Sequence, residues 1–94
     1  MKVFDKISWH IDAGEDLNEN IQRLEVIFDY LNSHDMLSED GKEILELGID
    51  KESSLHSKLL TDKGLLFCEK YEDMLVAMDS KNLKTFLKAT DCET

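Results

Sequence analysis

A chain of 94 residues, 41% apolar and 34% charged, is long enough for one domain with its own core and too short for two lobes around a cleft. Its 21 acidic residues against 11 basic ones give a net charge of −10, which repels phosphate backbones and anionic lipids and so excludes nucleic acid and membrane surfaces as natural partners. The charge is also lopsided: twelve acids and only Arg23 and Lys42 lie between Asp12 and Asp50, while the rest of the chain balances nine acids with nine lysines.

The regular recurrence of leucine, isoleucine and phenylalanine argues against disorder despite the charge. With no proline to break them, helices joined by short capped turns are expected. The first residues are too polar for a signal-peptide core, and no apolar run reaches membrane-spanning length. Two cysteines, Cys68 and Cys92, fit reduced thiols better than a disulfide framework. The expected arrangement is a single cytoplasmic domain, with an arm over residues 1–14, a helical bundle over 15–90 and a tail over 91–94.

Residues 1–12 satisfy two periodicities. Val3, Ile7, Trp9 and Ile11 alternate as in a strand, whereas Phe4, Ile7 and Ile11 share a helical face. The reading adopted is an extended arm or short strand pinned by Trp9. After a turn at Ala13-Gly14, a helix is predicted from Glu15 to Ser33, with Leu17, Ile21, Leu24, Ile27, Phe28 and Leu31 inward. Ser38 is a good N-cap for a second helix ending at Gly48. A short third helix is predicted over 54–60, with Leu55 and Leu59 inward. Thr61 caps a fourth, on which Phe67, Tyr71, Met74, Leu75 and Met78 share a face. Asp79 or Ser80 caps the last, burying Leu83, Phe86 and Leu87 and leaving Lys81, Lys84 and Lys88 on the opposite side. The fold class is therefore mostly α, a compact bundle of four or five helices. The segments Leu37-Ser38-Glu39-Asp40-Gly41 and Leu60-Thr61-Asp62-Lys63-Gly64 echo one another, and shared helix-start chemistry explains this better than a repeat does.

No catalytic constellation stands out. Asp5, Ser8, His10 and Asp12 include the residue types of a triad, but no nucleophile-elbow glycines surround Ser8. The plainer role for His10 is a hydrogen bond to a helix end or a carboxylate. His10, His34, His56, Cys68 and Cys92 are too widely spaced for a metal motif, and the glycines are isolated, so neither metal nor cofactor is expected. Glu19, Arg23, Val26 and Tyr30 lie opposite the apolar stripe of the first long helix. Either a neighbouring element covers them, or they form a tyrosine-centred contact surface ringed by acids.

Phe4-Asp5-x-x-Ser8-Trp9-His10, followed by an acidic turn and an amphipathic helix, resembles a family of small bacterial domains of unknown function that open with an aromatic-Asp-x-x-Ser-Trp-His signature. The usual continuation into Tyr and a Gly pair is replaced here by Ile11-Asp12-Ala13-Gly14. The resemblance implies an accessory bacterial cytosolic protein, of the immunity kind found in toxin–immunity loci, in a family to which no enzymatic activity is assigned.

Charge and resemblance converge on a non-enzymatic binding protein that masks a basic site on a partner such as a toxin or nuclease. The contact residues expected are Glu19, Val26, Asp29 and Tyr30, with Glu39, Asp40 and Glu43 of the second helix. The alternatives are a homodimer, in which the lysine row meets the acidic half of a second copy, and an enzyme using His10.

Overall fold

A computed structural model describes residues 1–92, in the order β1 (Val3–Lys6), α1 (Ile7–Asp12), α2 (Leu17–Ser33), α3 (Glu39–Leu47), β2 (Ser54–His56), a 3-10 turn (Ser57–Leu59), α4 (Asp62–Ala77) and α5 (Ser80–Cys92). The thiol of Cys92 and most of the tail expected over 91–94 lie outside the described residues. The mostly-α class holds: five helices and one two-stranded antiparallel sheet surround a single core.

The N-terminal segment takes up both of its periodicities in turn. Val3–Lys6 pairs with Ser54–His56, and the chain then coils into α1, which buries Ile7 and His10 one turn apart. That helical turn directs Trp9 outward, where it is 50% exposed with the Lys6 ammonium above its ring. Trp9 therefore does not pin the arm. Phe4 and Ile7 do so, both buried in the core.

Asp16 caps α2 by accepting the Glu19 backbone N–H at 2.8 Å, so the helix begins two residues later than its acidic run suggested. Leu24, Ile27, Phe28 and Leu31 are buried, whereas Leu17 at the helix start is 37% exposed. Ser38 and Thr61 cap α3 and α4 as expected. The short helix predicted over 54–60 is instead a strand followed by a 3-10 turn, because Leu55 is drawn into register with Asp5 of β1. Leu55 and Leu59 still point inward.

The echo between the two helix starts is also spatial. Leu37 and Leu60 form an antiparallel bridge, Ser38 N–H donates to the Leu59 carbonyl at 2.9 Å, and Thr61 N–H donates to the Met36 carbonyl at 3.0 Å. Each start thus leans on the residue preceding its counterpart, as in a local two-fold arrangement. The approach is so close that a Cβ on Gly41 would run into the Leu59 carbonyl oxygen, and one on Gly64 into that of Met36. Both glycines are needed for space and not for unusual backbone angles.

Non-helical angles at Tyr71 kink α4 and turn its inner face. Cys68 and Leu75 are buried, Phe67, Tyr71 and Met78 are half-buried, and Met74 is 38% exposed instead of sharing the core face. Among the described residues, no helix is long and apolar enough to cross a membrane.

Candidate functional site

Two features lie outside the apolar core: a buried ionic cluster beneath α1 and an open groove between α2 and α5. The cluster is centred on Arg23, the chain's only arginine, which is 3% exposed. Its Nη2 pairs with Asp5 Oδ2, its Nη1 donates to the Leu75 carbonyl, and its Nε donates to Asn20 Oδ1 at 3.3 Å. His10 Nε2 lies 2.7 Å from Asp5 Oδ1, and Nδ1 lies 3.0 Å from Glu15 Oε1. The hydrogen bond from His10 holds the Glu15 carboxyl below its usual range, against a smaller opposing effect of desolvation.

This network answers the accounting demanded of buried charge: each polar group taken out of water has a partner. It ties β1, α1, α2 and the end of α4 together through four side chains, Asp5, His10, Asn20 and Arg23, that are all nearly inaccessible. The two carboxylates address opposite nitrogens of His10 and do not converge on one point, and no metal-holding group of three or more ligands is found among the described residues. His10 lines neither of the two hollows described below.

Of the two readings open for the face holding Glu19, Arg23, Val26 and Tyr30, Arg23 follows the first: the N-terminal segment covers it. The guanidinium reaches over the edge of α2 to Asp5, which the sheet has brought beneath it. Asn20 carried a readable signal, since it falls within the apolar stripe between Leu17 and Leu24 and so needed a buried partner. The pairing of Arg23 with Asp5, eighteen positions apart, had none.

The groove has a volume of about 740 Å³. Val26, Tyr30 and Leu87 contribute its apolar surface, Glu25 and Asp29 of α2 line one side, and Lys81, Lys84 and Lys88 of α5 line the other. Beneath it runs an aromatic ladder: Tyr30 stacks on Phe67 at 5.1 Å between centroids, Phe67 lies 4.9 Å from Tyr71, and Tyr71 meets Phe86 edge-on at 5.3 Å. Tyr30 is therefore half-covered by Phe67 of α4, and it and the half-buried Val26 still line the groove.

The structure does not gather the seven expected contact residues into one patch. Val26, Asp29 and Tyr30 line the groove. Glu39, Asp40 and Glu43 are exposed on α3 and do not line this groove, while Glu19 is half-buried and accepts the Ser80 backbone N–H at 2.7 Å, capping α5. A smaller hollow of about 310 Å³ lies between the end of α3 and β2, lined among others by Leu47, Asp50 and His56. His56 Nδ1 is buried without a hydrogen-bond partner among the described residues, and burial pushes the ring pKa below its usual value, with Lys58 adding to the effect.

Fold and site together define a small α-helical domain with a buried ionic cluster at one end and a charged, aromatic-floored groove along one flank. No protein-family model matches the chain, no curated protein matches it, and no solved structure matches it.

Proposed function

We propose that this is a non-enzymatic, acidic binding protein of the immunity or inhibitor kind, which covers a basic site on a partner protein. The observation that carries the reading is the burial of Arg23. Of the twelve acids between Asp12 and Asp50, eleven are exposed and Glu19 is half-buried, whereas one of the two cations in that stretch is withdrawn into the Asp5 pair. Lys42 alone remains outside to offset them. The acidic surface of α2 and α3 is therefore more negative than the sequence count implies, and such a field accelerates encounter with a basic partner and rejects acidic ones.

A non-enzymatic role agrees with the state of His10. The side chain best suited to proton transfer is 8% exposed and engaged at both nitrogens, which leaves it no face for a substrate. The test is affinity capture from the source cell at low salt, using the wild-type chain and an Asp29→Asn, Glu39→Gln, Glu43→Gln variant as baits. The reading expects a basic protein retained by the wild type and lost from the variant. Capture of the same protein equally by both baits contradicts it.

A further inference from the structure

We infer that the groove between α2 and α5 docks a helix of the partner whose apolar ridge is flanked by a basic edge on one side and an acidic edge on the other. This deepens the proposed binding role and rests on it, but it concerns a different surface from the α3 acids.

The walls of the groove bear opposite charge and do not close on each other. Glu25 and Asp29 on α2, and Lys81, Lys84 and Lys88 on α5, are all exposed, and among the described residues these five side chains form no ion pair with one another. A purely basic ligand would satisfy one wall and meet three lysines on the other. A purely acidic ligand would meet the reverse. Only an occupant carrying both signs, ordered across its width, satisfies both walls, and like charges placed opposite either wall would be rejected.

The spacing of the walls indicates a helix. Lys81, Lys84 and Lys88 follow the i, i+3, i+7 pattern and Glu25 and Asp29 the i, i+4 pattern, so each wall repeats once per turn, at about 5.4 Å. A third helix laid between two others presents side chains at that same repeat, as in a helix-in-groove complex, whereas a strand repeats on one face at about 6.6 Å. The lysine row spans about 10.5 Å, which sets the occupant at two to three turns. Glu19, near the start of α2, caps the start of α5, which fixes one end of the two walls relative to each other. The aromatic ladder supports the floor from beneath, so Tyr30 is held in place before any ligand arrives. A second copy packed groove to groove would set two hollows against each other, which is poor shape complementarity.

Charge order also sets direction. Turning a helix end for end in the groove exchanges its edges, so a helix with one basic and one acidic edge is accepted in one direction only.

The test uses three synthetic helical peptides of about 18 residues. They share a leucine ridge and carry lysine on one edge with glutamate on the other, lysine on both edges, or glutamate on both. Each is titrated into the full chain and followed by the NMR signals of Val26, Tyr30 and Leu87. The mixed peptide should bind at those residues at least about tenfold more tightly than either single-sign peptide. A Lys81→Glu, Lys84→Glu, Lys88→Glu variant should turn the preference to the lysine-only peptide, and Lys81→Gln, Lys84→Gln, Lys88→Gln should reduce the discrimination. All six changes lie at exposed positions, and a thermal melt checks that the fold is kept. The proposal is overturned if the lysine-only peptide binds the wild-type groove as well as the mixed one, or if no peptide shifts the groove signals. Salt-sensitive binding of the lysine-only peptide at α3 alone would also overturn it while leaving acidic capture standing. Self-association of the free chain that the lysine variants abolish would assign the groove to a second copy instead.

Discussion

Replacing Arg23 with methionine keeps an unbranched apolar stem and deletes the charged head at the centre of the buried cluster. Arg23 and Asp5 side chains are 3% and 2% exposed, so the change leaves a buried carboxylate with His10 as its remaining partner. It also strips the Leu75 carbonyl and Asn20 Oδ1 of a donor. Removing one member of a buried pair costs about 3–5 kcal/mol, a large part of the roughly 5–15 kcal/mol available to a domain. At about 4–8 °C per kcal/mol for a chain of this size, the midpoint of thermal unfolding should fall by at least about 12 °C. Urea unfolding followed by circular dichroism measures the loss directly, with an unchanged m-value showing that the native state is otherwise intact. The double variant Asp5→Leu, Arg23→Met buries no orphan charge and should recover most of the loss, giving a coupling of at least about 2 kcal/mol. A loss below about 1 kcal/mol for Arg23→Met would refute the reasoning. It would place the guanidinium in water, where it would also offset the acidic surface.

Four further outcomes are expected. Gly41→Ala and Gly64→Ala should each cost about 1–3 kcal/mol by thermal melting, and by similar amounts, because each drives a methyl group against a carbonyl across the same local two-fold contact. His56 has a folded-state pKa pushed below 6.5, so protons bind the unfolded chain more readily. Its contribution is complete above the unfolded value and is lost as pH falls through the depressed folded one. Urea midpoints measured from about pH 8 down to pH 5 should therefore decline, and less steeply in His56→Gln. Glu15, lowered below its ordinary carboxylate value by His10, acts with the same sign in a more acidic window, and Glu15→Gln should remove that part. Cys68, whose thiol burial pushes up to about 12, should resist alkylation at about pH 8 in a Cys92→Ser background until the chain is unfolded, since its thiolate is about a thousandfold scarcer than that of an ordinary thiol.

The elements most legible in the sequence were those whose signals are local. Ser38, Thr61 and Gly48 mark helix ends through chemistry within a few residues, and the stripe of α2 predicted the burial of Leu24, Ile27, Phe28 and Leu31. The errors came where a distant segment decided the outcome. Residues 54–56 became a strand because β1 offered an edge, and Trp9 turned outward because Ile7 and His10 took the inner face of α1. The groove was half visible: Tyr30, Val26, Asp29 and the lysine row were each noticed, but not that α2 and α5 start side by side and bring them together. The Asp5–Arg23 pair was not visible, because an arginine at the edge of a stripe reads as solvated until the strand beneath it is placed.

The central claim is that the exposed acids of α2 and α3 capture a basic partner through long-range attraction. Its most direct measurement is the association rate with the captured partner as ionic strength is raised from about 20 to about 200 mM, for the wild type and for Asp29→Asn, Glu39→Gln, Glu43→Gln. The account predicts a wild-type rate that falls at least about tenfold across that range, and a variant rate that is slower at low salt and much less sensitive to it. Equal rates for the two proteins at low salt would contradict it.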